Sequence, residues 1–305
     1  MIPVYSLSLF SYSKATMLFR DRCDGTRVTG QHALNALMPY MMRGRNESAV
    51  YYEKEINIEN ALAYLKALKM TQEEKADQDR FTLFGLIITA ALKTMALYPR
   101  LNRFIHRRAL YQRKHMTFSF IVKQSFDPDA PEVNAKIFFE PDDSFQTVSS
   151  KINAAILDAR EHGEGDGERF ANIFHKIPGG KAILMALYRF LEHFNIAPWS
   201  LIRMDPLYSS IYFANLGSIG LNAPYHHLYE WGNTSIFMVI GKMFSKELWH
   251  GGVRTRQRYI DVRLTLDERI ADGYIFAEAA SAFYRMLSNP KLLELPLDML
   301  RNALG

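Results

Sequence analysis

Cysteine is almost absent. Cys23 is the only one in 305 residues, so no intrachain disulfide can form and no cysteine-based metal site exists. Its neighbours Arg22, Asp24 and Gly25 are polar, which reads as a bystander thiol in a loop. Long apolar runs are missing too. Residues 1–19 are broken by Ser6, Ser8, Ser11, Ser13 and Lys14, and show no charged start, apolar run and small-residue cleavage site of a signal peptide. The most lipophilic stretch, 183–202, carries Arg189, Glu192, His193 and Pro198, too polar and too broken to span a bilayer. Charge of one sign is scarce: the net is +5, without the dense Lys/Arg clusters of a general nucleic-acid binder. A soluble cytoplasmic protein with no nucleic-acid partner is the expectation. No internal repeat or low-complexity tract occurs.

What is present is a chain 48% hydrophobic and 23% charged, enough to bury a large core and too apolar for wholesale disorder. Helical spacing covers residues 30–46, 58–69, 81–96 and 145–160, with a charged connector at 71–80. Strand signals fall at 50–58, 116–123, 136–140, 210–214, 234–242 and 257–266, and residues 104–113 suit a hairpin. A Gly/Glu-rich link at 162–168 leads to two helical pieces over 169–195. A helix over 272–287 and a short terminal helix close the chain. Helices alternate with strands, and the second half is strand-rich, so an α/β layered domain is expected.

Two segments carry a family resemblance. Leu264-Thr-Leu-Asp-Glu-Arg-Ile-Ala-Asp-Gly273, running into a helix and Pro290-Lys-Leu-Leu293, resembles the closing motif of the catalytic domain of 2-oxo-acid dehydrogenase acyltransferases. There a strand ends in Asp-His-Arg-x-x-Asp-Gly and a helix leads to Pro-x-x-Leu-Leu. Phe213-Ala-Asn-Leu-Gly-Ser-Ile-Gly220 is similar to that family's Asn-Leu-Gly-x-x-Gly turn. Weaker similarity at 51–62 and at 81–104, with Tyr98-Pro-Arg-Leu-Asn102, extends the match to roughly residues 27–295.

The resemblance implies a two-layer chloramphenicol-acetyltransferase-like fold, a mixed sheet covered by helices. Residues 1–26 would be an N-terminal extension and 27–305 a single catalytic domain, with 160–208 an inserted helical hairpin. No lipoyl domain, subunit-binding domain or Ala/Pro linker is recognisable, so a stand-alone protein is expected. The family moves acyl groups from a coenzyme A thioester, and each active site lies between two subunits. The expectation is therefore an acyltransferase acting on acyl-CoA or an acyl-carrier thioester, assembled as a homotrimer or larger homo-oligomer. Coenzyme A would be a co-substrate, with no cofactor held permanently. The alternative is an inactive member serving as oligomeric scaffold or ligand-binding subunit.

In the family a histidine takes the proton from the attacking thiol or hydroxyl, and a nearby hydroxyl stabilises the oxyanion. Glu268 stands at the histidine position. A carboxylate with a reference pKa of about 4.3 is a weak base towards a thiol of about 8.5. An apolar cleft would raise it, whereas pairing with Arg269 would lower it; strand alternation puts the two on opposite faces. A structural ion pair at an abandoned site is the competing reading. A second candidate base lies in Ala223-Pro-Tyr-His-His-Leu-Tyr-Glu-Trp-Gly232, where His226 or His227 could act with Glu230 or Glu268 orienting the ring. The competing reading is a subunit contact or strand cap.

The family hydroxyl falls near Ala214 and Asn215, leaving Asn215 or Ser218 as oxyanion donor. Asp272 and Gly273 would be structural, through an ion pair and a close turn. Arg103, Arg107 and Arg108, with Arg113 and Lys114, form the strongest basic cluster and could receive the phosphates of coenzyme A; a solvated hairpin is the plainer reading. His-His-x-x-Glu lacks the helical histidine pair of the common zinc hydrolases, so no metal is expected. Gly179-Gly180-Lys181 is no P-loop, since the first glycine and a preceding strand are missing. The 183–202 stretch reads as a helix packed on the core or a neighbour, with an acyl-chain groove or a peripheral membrane contact as the alternative.

Overall fold

The fold is built on one strand. In the computed structural model, which describes residues 21–70, 80–123, 132–162 and 176–305, Val253–Asp267 is a single strand of 15 residues. Ile260, Val262, Leu264 and Leu266 alternate along it and are all buried in the main core, the period-two signature of a strand with one covered face. Numbering strands in chain order, β1 is Gly25–Arg27, β2 Ala49–Asn57, β3 Arg103–His106, β4 Ala109–Arg113, β5 Met116–Lys123 and β6 Glu132–Phe139. β7 is Ile211–Asn215, β8 Ile236–Ile240, β9 Phe244–His250 and β10 the long strand. The helices are α1 (Ala33–Met41), α2 (Glu59–Met70), α3 (Leu83–Leu97), α4 (Phe145–His162), α5 (Gly180–His193), α6 (Trp199–Met204), α7 (Gly273–Ser288) and α8 (Leu297–Leu304).

The main sheet runs β2-β10-β8-β7-β5-β6, with β9 added to the first half of β10. β7 is parallel to both β5 and β8 and every other pairing is antiparallel, so the sheet is mixed. Helices α2, α3, α4, α7 and α8 cover one face and share its core. α3 is buried without a break from Gly85 to Met95, its two buried threonines bonding back to the Gly85 and Ala90 carbonyls, and Thr82 caps it by accepting from the Gly85 amide at 3.0 Å. The opposite face carries a smaller cluster, Tyr212, Phe237 and Val239, roofed by Ala223 and Leu228 of the segment between β7 and β8. β1, β4 and β3 form a separate three-stranded sheet.

Residues 21–26, expected in an extension, belong to the fold. Arg22 and Asp24 are buried, and β1 pairs with β4. The Arg22 guanidinium bonds Asp24 at 2.8 Å and reaches Glu192 on α5 at 3.0 Å. Glu192 thereby ties α5 to the body. Lys136 Nζ on β6 donates to the carbonyls of Ile202 and Asp205, at 2.7 and 2.9 Å, and holds α6 down in the same way. The expected helix over 30–46 is shorter. α1 contains Pro39, and beyond Met41 the chain turns back on bonds from the Ser48 hydroxyl to the Gly44 carbonyl and from the Arg43 amide to Glu47. β9 carries no sequence signal because Lys246, Glu247 and Trp249 leave it without a clean apolar face. The expected link at 162–168, apart from its first residue, lies outside the described residues, as does the first part of the 169–195 pieces.

One stripe of α5, Ile183, Leu187 and Phe190, is exposed, while Tyr188 and Glu192 face inward. Among the described residues no helix is long and apolar enough to cross a membrane.

His106, beside Glu192, makes the fold acid-sensitive. Burial, with Arg22 and Arg107 nearby, lowers its pKa to about 3, although its Nε2 bonds the Glu192 carbonyl at 3.1 Å. In the unfolded chain it titrates near 6.5, so between those values the unfolded state binds the proton and the folded state does not. This group makes stability fall as pH drops from about 6.5 towards 3, by up to ~1.4 kcal/mol per pH unit. Urea midpoints across that range should fall less steeply in His106→Gln.

Candidate active site

A cleft of about 1180 Å³ opens between the helix-covered face of the sheet, α3, α7 and the segment around α1. Its floor is apolar, from Ile236, Met238, Leu264 and Leu266. Its polar groups include Lys54 on β2, His32 ahead of α1, Arg100, Arg103, Glu268 and Asp272. An apolar floor with a few charged groups at the edge is the usual make-up of a small-molecule site.

Glu268 stands directly after β10. Its amide donates to the Ser48 carbonyl at 3.0 Å, which fixes the backbone, and its half-buried side chain lines the cleft. The carboxylate has no hydrogen-bond or ion-pair partner among the described residues. Arg269 turns away from it and grips Asp267 in a two-pronged pair, Nε to Oδ1 at 2.8 Å and Nη2 to Oδ2 at 2.7 Å. Its third nitrogen donates to the carbonyls of Met42 and Arg43. Asp267, fully buried, also accepts from the Ser48 hydroxyl and the Arg269 amide. This planar fork clamps the strand end against the 42–48 turn and leaves Glu268 free.

Asp272 caps α7, accepting from the Ile275 amide at 3.0 Å, and pairs with Arg100 at 3.3 Å on the surface. Gly273 does not supply the expected close turn. Its φ is not in the left-handed region, and a Cβ there would meet nothing within 4 Å.

The remaining candidates are placed elsewhere in the chain. His226 and His227 lie over the opposite face of the sheet: the His226 ring stacks on Phe237 with centroids 3.9 Å apart, and His227 stacks on His226 at 4.7 Å. Thr265, which points away from the cleft, donates to the His226 carbonyl. Burial lowers the pKa of His226, so its ring favours the neutral form. Glu230 does not orient either imidazole. Its carboxylate accepts from the amides of Arg45 and Asn46 and from the Asn46 side chain, and those bonds outweigh burial and hold its pKa low.

Asn215 and Ser218 are also far from Glu268 within one chain. Asn215 pairs with Ile240, which faces Val262, six residues before Glu268, or ~20 Å along the strand. Ser218 donates its hydroxyl to the Asn215 carbonyl at 2.7 Å. The arginine trio divides: Arg103 lines the cleft and bonds Gln112 at 3.0 Å, while Arg107 and Arg108 line a second, smaller cavity. No three His, Cys, Asp or Glu side chains come together as a metal site among the described residues. The sequence reading passed over His32, Lys54 and Arg100. Arg100 lay in the Tyr98-to-Asn102 motif and Lys54 in the 51–62 similarity; His32 had no signal.

The mixed sheet, its main helical layer on one face and the Asp-Glu-Arg strand end match the two-layer chloramphenicol-acetyltransferase-like fold, in the form seen in 2-oxo-acid dehydrogenase acyltransferases. Among solved structures the chain is similar to the dihydrolipoamide acetyltransferase of Azotobacter vinelandii, studied for a serine, a histidine and an asparagine in its catalytic mechanism. The two are 15% identical with a TM-score of 0.58, over 88% of this chain and 95% of that one. It is also similar to the cubic core of a pyruvate dehydrogenase multienzyme complex, at 14% identity and a TM-score of 0.57, over 88% and 95%. A truncated catalytic core of the 2-oxoacid dehydrogenase complex of Thermoplasma acidophilum matches at 14% and 0.53, over 86% and 98%. No protein-family model matches the chain, and no curated protein matches it in sequence.

Proposed function

We propose that this protein transfers an acyl group from a coenzyme A or carrier thioester to a thiol or hydroxyl acceptor, with Glu268 as the base. The observation that carries the reading is a carboxylate without a partner among the described residues on the wall of a large apolar-floored cleft, at the strand end whose motif resemblance sets Glu268 against a histidine. The histidine and asparagine studied in the Azotobacter enzyme are four positions apart, as Glu268 and Asp272 are here. Glu268 would take the acceptor proton as that atom attacks the thioester carbonyl. Collapse of the tetrahedral adduct would break the carbon–sulfur bond, and the leaving thiolate would recover the proton from Glu268. Arg100, Arg103 and Lys54, at the cleft, suit the phosphates of the donor.

The site is completed by a second copy of the chain in this reading. Glu268 on one side, and Asn215, Ser218, His226 and His227 on another, can meet only across a subunit boundary. Exposed Trp249 and Val253 on the β9–β10 hairpin supply apolar surface for such a contact. A homotrimer is the assembly proposed, to be checked by light scattering on the eluting protein.

The deciding experiment is consumption of acyl-CoA with detection of the freed thiol. Turnover that depends on Glu268 supports the transferase. Tight coenzyme A binding without turnover would overturn it in favour of a silent scaffold or ligand-binding subunit.

A further inference from the structure

The second cavity, about 420 Å³, lies behind Arg269 and is lined by six arginines against two glutamates. Both glutamates are committed elsewhere: Glu192 to Arg22, and Glu230 to the amides of Arg45 and Asn46. Arg269 is neutralised by Asp267. The guanidinium groups of Arg43, Arg107, Arg108 and Arg189 have no carboxylate partner among the described residues. The lining is therefore a concentration of uncompensated positive charge.

Two further observations point to an anion-binding role. Arg45, buried against the cavity, spends its terminal nitrogens on the carbonyls of Ile105, Tyr229, Glu230 and Gly232, but its Nε has no hydrogen-bond partner among the described residues. A buried donor left unmade is costly, and burial further disfavours the charge of this side chain. Arg107 and Arg108 form the two-residue turn between β3 and β4, and both have positive φ, 47° and 60°. That turn type prefers Asn-Gly, so two arginines there carry backbone strain. Strain of this kind is kept where it positions a functional group. Here it brings two adjacent guanidinium groups to the cavity rim.

We propose that this cavity is a binding site for a small phosphate ester or diphosphate. Arg107 and Arg108 come from the hairpin, Arg43 from the turn after α1 and Arg189 from α5, so the anion would bridge three elements. Several planar forks converging on one space match the multiple acceptor oxygens of such an anion. The volume falls in the range of small-ligand sites. This site is separate from the Glu268 cleft, from which Arg269 divides it.

Calorimetric titration of the full chain with inorganic pyrophosphate at low salt tests the proposal, with Arg107→Asn/Arg108→Gly and Arg189→Gln as variants. Asn-Gly relaxes the turn, so the first variant should melt at or above the wild-type temperature while its affinity drops about tenfold or more. Arg189→Gln should weaken binding in the same direction, and Glu268→Gln should bind pyrophosphate as the wild type does. Sedimentation with phosphatidylcholine vesicles containing phosphatidic acid separates the two sources of such a group. Pyrophosphate binding without sedimentation assigns a soluble ligand, and sedimentation lost in the same variants assigns a lipid headgroup. Absence of both, or affinity unchanged in both arginine variants, overturns the proposal.

Discussion

Glu268→Gln is expected to lower acyl-transfer turnover by about 10²–10⁴-fold, the usual contribution of a positioned base. Glutamine keeps the shape and polarity of the side chain but cannot accept the acceptor's proton, so the loss should fall on kcat and leave the acyl-CoA affinity almost unmoved. The fold should not notice the change. The carboxylate has no ion pair to lose, and the backbone bond from residue 268 to Ser48 is independent of the side chain. Steady-state kinetics together with a melting curve are the measurements. Equal turnover in variant and wild type would remove Glu268 from the chemistry and return attention to His32, the histidine at the same cleft.

The second large effect is structural. Arg22→Ala should cost about 3–5 kcal/mol, because it strands two buried carboxylates. Arg22 is 2% exposed and is shared between Asp24 and Glu192, with its guanidinium 5.6 Å from the centre of the Phe104 ring. Burial alone would lower its pKa, yet Asp24 and Glu192 together raise it, and Asp24 is held low in return. The cost is one of imbalance, so Arg22→Met combined with Glu192→Gln should recover part of it. Urea unfolding of the single and double variants measures both. A loss below about 1 kcal/mol for Arg22→Ala, in the range of an exposed pair, would show that the network does not hold α5.

How much of this was legible beforehand follows from what each residue does. The strand end and its motif could be read because alternation from Ile260 to Leu266 is strict and the Asp-x-Arg pair is local in sequence. The helix-covered face could be read for the same reason. The position of His226 and His227 could not. Two imidazoles on a polar, aromatic loop suggest chemistry, but the face of the sheet on which the loop lies is settled by contacts with Phe237 and Thr265, distant in sequence. The arginine trio failed on register: β3 carries Arg103 at its start and the turn carries Arg107 and Arg108 at the far end, so one hairpin serves two cavities. The inclusion of residues 21–26 was hidden as well, since Arg22 finds its second partner 170 positions away.

The clasp between Arg269 and Asp267 has one more consequence. A guest on either side could recruit that guanidinium only by abandoning a carboxylate sealed from water, at a cost of several kcal/mol. The partition is thus an electrical insulator rather than a wire, and loading one chamber should leave the ligand affinity of the other unchanged.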